Sequence, residues 1–139
     1  MYHLMIDPRD LSLFSMVRVK DDETIWEAIG ILDTGIWLIH PAKQSLSGVR
    51  PDDCEGILLD GELLGRLGFE LIVSTERRSI YLLRSPLSFN IHRVHKSMEA
   101  DKQDYWFGPY GAGPFRYLHE LQLIYRWLTG QHLNTNKLL

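Results

Sequence analysis

Cysteine is almost missing from this chain. Cys54 stands alone among 139 residues, so no disulfide can form within the chain. None is required, because a chain of this length with 45% apolar residues can bury a core of its own. Long apolar runs are missing too. No stretch without a charged side chain, residues 34–42 among them, approaches the ~20 apolar residues of a membrane helix. No membrane partner is therefore expected. The opening "MYHLMIDPRDLSLF" lacks a basic segment followed by an apolar run, so no signal peptide is read. With a single thiol, these features predict a cytoplasmic protein. Strong net charge is lacking as well. The balance is only −3, which gives no global attraction to nucleic acid. The charge is unevenly placed, however. Residues 1–70 hold 13 acids and 6 bases, and residues 71–139 hold 5 acids and 9 bases. That asymmetry is compatible with self-association, with an anionic partner, or simply with solvated surface.

Motifs that carry chemistry are scarce. His92 and His95 are close enough to suggest a metal, but on a strand a spacing of three puts them on opposite faces. Cys54 sits beside Asp52, Asp53 and Glu55, which would raise its thiol pKa and quench it as a nucleophile. "GPYGAGP" (108–114) has the glycines of a phosphate loop, but Pro109 and Pro114 interrupt the run of amides that such a loop needs. No catalytic residue, cofactor or metal ligand is assigned, and an enzyme is not expected. The segment "YWFGPY" (105–110) is different. Tyr105, Trp106, Phe107 and Tyr110 could anchor a protein partner or stack on bases, or they could cap the core. His119 and Gln122, one helical turn apart, complete a candidate interaction surface; they could equally satisfy backbone groups.

What is present is secondary-structure pattern. "LFSMVRV" (13–19) alternates as a strand, and "TIWEAIGIL" (24–32) and "IWLIH" (36–40) flank the turn "DTG". Together, 13–40 read as a first meander, compatible with a small SH3-like barrel. Residues 41–56 are rich in Pro, Ser, Gly and Asp and read as a loop. Asp60 is placed to cap a short helix over 60–67, with Leu63, Leu64 and Leu67 as its apolar stripe and Gly68 as its stop. A second meander spans 70–94. Residues 95–114 fit no regular element. The C-terminal helix, 115–129, has the clearest period. Leu118, Leu121, Tyr125 and Leu128 form its apolar stripe, widened by Tyr117, Ile124 and Trp127. Thr129-Gly130 ends it, and Leu133 is placed to fold back. The expected fold is α+β in a single domain, 1–139, with the C-terminal helix covering the second meander.

Two stretches carry a resemblance. "LDGELLGRLGFE" (59–70) resembles a recurring L-T-E-E-x-L-L-x-x-G-F-E segment, with Asp60 in place of Thr and Gly65 in place of Leu. "YLHELQLIYRWLTGQHL" (117–133) resembles Y-V-H-Q-L-Q-N-L-Y-F-A-L-T-G-E-E-L. Both segments belong to small uncharacterised Bacteroidetes proteins, often found in prophage or other mobile regions. "DLSLFSMVRV" (10–19) is a loose counterpart of their D-L-R-I-G-N-W-V opening. The resemblance implies a fold and a genomic setting, and supplies no mechanism. Three functions are weighed. The first is a non-catalytic binding or adaptor protein of mobile-element origin, with an unknown protein partner or a homodimer. The second is a single-stranded nucleic-acid binder using "YWFGPY" with Arg77, Arg78, Arg84, Arg93 and Lys96. The third is a small hydrolase built on His92, His95 or His119.

Overall fold

The computed structural model describes residues 15–22, 24–32, 35–40, 45–95 and 104–138. It is α+β, with two antiparallel sheets and two α-helices. Contacts divide the chain into two compact units. The first holds residues up to 58 together with 117–123. The second holds 59–116 together with 124–138.

The first unit is a five-stranded sheet. Its strands are β1 (Met16–Val19), β2 (Ile25–Leu32), β3 (Gly35–His40), β4 (Ser45–Val49) and β5 (Cys54–Glu55), in the order β4-β3-β2-β1-β5. Strands β4 and β5 correct the expectation of a loop over 41–56. The glycine that argued for a loop is explained by Trp37. It pairs with Gly30 on one side and Gly48 on the other, and a Cβ at Gly48 would meet the indole at 3.3 Å. The two glycines leave room for one large ring lying across three strands. Val17, Ala28, Ile36, Leu38 and Cys54 form the buried centre of this unit.

The second unit begins with helix α1 (Gly61–Arg66). Asp60 Oδ1 accepts the Leu63 N–H at 2.7 Å, as the sequence indicated. The helix closes with the Phe69 N–H on the Leu64 carbonyl and the Gly68 N–H on the Gly65 carbonyl, with Gly68 at φ +99°. This is the Schellman arrangement that a left-handed glycine permits. Strands β6 (Glu70–Ser74), β7 (Arg78–Leu83), β8 (Phe89–Val94) and β9 (Tyr105–Phe107) follow in sequential order. Strand β9 lies in the stretch expected to be irregular. Its glycines let the chain double back: Trp106 and Phe115 exchange backbone hydrogen bonds at 3.0 and 2.9 Å, and a Cβ at Gly113 (φ +133°) would strike the Trp106 carbonyl at 2.9 Å. One sheet face carries the buried Tyr81, Leu83, Phe89, Ile91 and Trp106.

Helix α2 (Leu118–Thr129) contributes its first half to the first unit and its second half to the second. Leu118, Leu121 and Tyr125 are buried as the periodicity requires, and Tyr125 packs on Phe89 with ring centres 4.9 Å apart. Two expectations change. Leu118 and Leu121 group with the first sheet's unit, not with the second meander. Leu128 is 45% exposed. The chain turns away at Gly130 (φ +73°), and Leu133 takes the buried place at this end of the helix.

Candidate functional site: an outer sheet face and a Ser–His–Asp cluster

Alternation along β7, β8 and β9 divides the second sheet into two faces. The face opposite the core carries Arg78, Ile80, Leu82, Asn90, His92, Val94, Tyr105 and Phe107. The register sets Ile80 beside His92, His92 beside Phe107 and Val94 beside Tyr105. The turn Pro109–Gly111 adds Tyr110. Together Arg78, Asn90, His92, Val94, Phe107 and Tyr110 line a groove of ≈ 400 Å³, floored at one end by Gly108 and Gly111.

Tyr110 is the unusual member. It is 100% exposed, and its backbone is left-handed at φ 60°, ψ 22°. A non-glycine residue there costs of order 1 kcal/mol or more, and such outliers gather at binding sites. The turn is held by the Gly108 N–H on the Ala112 carbonyl at 2.7 Å. A large amphipathic ring is thus presented to solvent on a fixed support.

The other aromatic residues of the candidate surface have different surroundings. Phe107 is half-buried on the open face. Tyr105 is half-buried, with the Arg116 guanidinium 4.4 Å above its ring. Trp106 points to the other face and is buried, 5.6 Å from Tyr81 and 5.1 Å from the Arg93 guanidinium. It belongs to the core because its neighbours on β9 take the outward positions. Among the bases named for nucleic acid, Arg93 is paired with Asp104 and Arg84 with Glu70. Arg77 and Arg78 stand exposed near the groove, and Lys96 lies outside the described residues.

His119 and Gln122 belong to the first unit. Gln122 Oε1 accepts the Met16 N–H at 2.8 Å, so the side chain secures the start of β1. His119 is buried and stacked on Tyr117 at 5.6 Å, interplanar angle 14°. Among the described residues its Nδ1 finds no hydrogen-bond partner. Burial, which disfavours the charged ring, lowers its pKa to about 4. The place taken by both rings depends on Gly56, where a Cβ would fall 2.6 Å from Tyr117 Cδ1. Cys54 is buried in the same unit. Burial first, and Asp53 second, push its thiol up to about 11, which keeps it inert.

One constellation escaped the sequence reading. His95 Nε2 lies 3.0 Å from Ser79 Oγ, and His95 Nδ1 lies 3.4 Å from Asp104 Oδ2. The order of atoms is hydroxyl, imidazole, carboxylate, as in acyl-transfer triads. Arg93 Nε donates to the same Asp104 oxygen. Ser79 is 4% exposed in the middle of a strand ladder, and it does not line the groove. His92 and His95 fall on opposite faces, as their spacing of three demands. No signal in the sequence joins Ser79 to Asp104. Two registers do so: β7–β8 sets Ser79 opposite Arg93 with His95 one step beyond on the same face, and β8–β9 sets Val94 opposite Tyr105, which brings Asp104 beside His95. Among the described residues, no group of three or more His, Cys, Asp or Glu could hold a metal ion, and no helix is long and apolar enough to cross a membrane. No family model, curated protein or solved structure matches the chain.

Proposed function

We propose that this protein is a binding module that acts through the outer face of its four-stranded sheet. The observation carrying this reading is Tyr110, fully exposed in a left-handed turn beside Arg78 and His92. A rigid aromatic ring with adjacent cationic and amide groups is the composition of a binding hot spot. In the first unit, the strand order β4-β3-β2-β1-β5, with the 3-10 turn Pro51–Asp53 just before β5, supports an SH3-like barrel. That likeness is one of fold and carries no ligand with it. The resemblance to mobile-element proteins fits an adaptor role, with a protein partner. The test is capture from a source lysate with wild-type and Tyr110→Ala baits of equal circular dichroism. A partner retained by the first and lost by the second supports the reading. An identical set on both baits would refute it.

A second reading, a small hydrolase, is favoured by the Ser79–His95–Asp104 geometry alone. In that scheme Ser79 Oγ bonds to an ester's acyl carbon and its proton passes to His95 Nε2. The proton then goes to the departing alkoxide as the ester bond breaks. Water, activated by the same imidazole, would release the acid. A fluorophosphonate probe that labels Ser79, and fails to label it in His95→Gln, supports this scheme. An unlabelled wild-type protein retires it.

A further inference from the structure

The chain beyond α2 is short and polar, but it is tied down. After Gly130 turns it back, Leu133 is buried. Asn134 Oδ1 then accepts the Asn136 N–H at 3.0 Å and starts a 3-10 turn over Asn136–Leu138. Arg66, in the last turn of α1, donates from Nη2 to the Lys137 carbonyl at 3.4 Å and to the Leu138 carbonyl at 3.2 Å. Leu138 is buried in turn. The backbone around Lys137 is therefore fixed, while Lys137 itself stays exposed.

This segment forms one wall of a cleft of ≈ 560 Å³, and the ends of α1 and β7 supply the others. Leu67, Leu83, Tyr125 and Leu133 form its base, and all four are buried. The volume and the plan, an apolar base with a few polar groups at the rim, are those of a small-molecule site. The cleft lies wholly within the second unit and shares no lining residue with the groove around Tyr110. The rim sets the charge of the ligand. Three side chains of fixed charge line it: Glu70, Arg84 and Lys137. Arg84 Nε donates to Glu70 Oε2 at 3.0 Å, so these two balance each other. Lys137 is then the one lining charge without a counter-charge among the described residues. One excess positive charge complements one negative charge. A phosphate monoester, with about two negative charges at neutral pH, would be opposed by Glu70.

We propose that this cleft binds a small organic monoanion, a carboxylate with an apolar body. The body lies on Leu67, Leu83, Tyr125 and Leu133, and the carboxylate pairs with Lys137. This site is separate from the groove, so it stands or falls independently of the binding reading above. An exposed ion pair contributes little in water, so both halves of the ligand are needed and the affinity is modest.

The experiment is a titration of the full chain with hexanoate at neutral pH, followed by amide shifts in ¹⁵N spectra. Hexanol, hexylammonium, acetate and inorganic phosphate serve as comparisons. Hexanoate should saturate in the millimolar range, with the largest shifts at 67–68, 83–86 and 132–137. Hexanol and acetate each lack one half of the recognised group and should bind severalfold more weakly. Hexylammonium and phosphate should bind more weakly than hexanoate as well. Lys137→Gln should bring hexanoate down to the level of hexanol and leave hexanol itself unchanged. Lys137 is exposed, so the fold should survive. Tyr110→Ala should alter none of these affinities. A titration with hexanoate that does not saturate overturns the proposal. So do shifts that map to other residues, hexanol binding as tightly as hexanoate, or a Lys137→Gln protein that binds hexanoate as the wild type does.

Discussion

Gly56 gives the sharpest test of the packing described above. A methyl group placed there lies 2.6 Å from Tyr117 Cδ1, 2.8 Å from Cγ and 3.1 Å from His119 Cε1. The first two distances are shorter than real contacts allow. The atoms met belong to the base of a ring rather than to the tip of a flexible chain, so the ring cannot simply swing aside. It is also stacked on His119, and the Tyr117 N–H is held by Glu120 Oε1 at 3.2 Å. Overpacking a fixed site costs roughly 1–3 kcal/mol, and Gly56→Ala should fall in that range in urea melts. No positive φ contributes at this position, so the whole effect is steric. Removing the ring in Tyr117→Ala should abolish the penalty. The double mutant should then be no less stable than Tyr117→Ala itself, a coupling visible in a double-mutant cycle. A Gly56→Ala loss under about 0.5 kcal/mol, on the scale of an ordinary surface change, would refute the stacked arrangement of Tyr117 and His119.

The opposite outcome is expected at Gly65, an exposed helical position where an added Cβ meets nothing within 4 Å: Gly65→Ala should stabilise by about 0.5–1 kcal/mol. His119 predicts a pH dependence. Its pKa is lowered from 6.5 to about 4 on folding, so the unfolded chain binds the proton more readily. The stabilisation is complete above 6.5 and drains away as pH falls toward 4, by about 2 kcal/mol over the first one and a half pH units. Urea melts of His119→Leu should be flatter across that window, and equal slopes for the two proteins would contradict the burial of His119. Leu121→Ala should cost about 2–5 kcal/mol, because Leu121 is fully buried. Leu128→Ala should cost well under half as much, and thermal melts of the pair will show whether the helix face is oriented as described.

Some of this architecture could be read without coordinates because its causes are local. Asp60 caps α1 through an amide three residues away, and Gly68 ends it through its own φ. The stripe of Leu118, Leu121 and Tyr125 follows from 3.6 residues per turn. Composition misled where a residue's reason lay on another strand. Gly48 looks like loop until Trp37 is placed over it, and the glycines of 108–113 look irregular until Trp106 pairs with Phe115. Leu128 keeps the helical period but is exposed, since burial depends on what stands opposite and the chain has already turned by Gly130.

The candidate site divides in the same way. An aromatic, glycine-broken segment at 105–110 can be seen in the sequence. Which of its rings faces water is decided by strand alternation once β9 pairs with β8, and that sends Trp106 inward while Tyr110 stays outside. Ser79, His95 and Asp104 meet only through the β7–β8 and β8–β9 registers. By itself the sequence determined the elements that are held together by neighbours three or four residues apart: the capped helices, the tight turns and the apolar alternation. The tertiary structure decided the register, the inward place of Trp106 and the burial of His119, because each depends on residues distant in the chain, whose proximity no local pattern encodes.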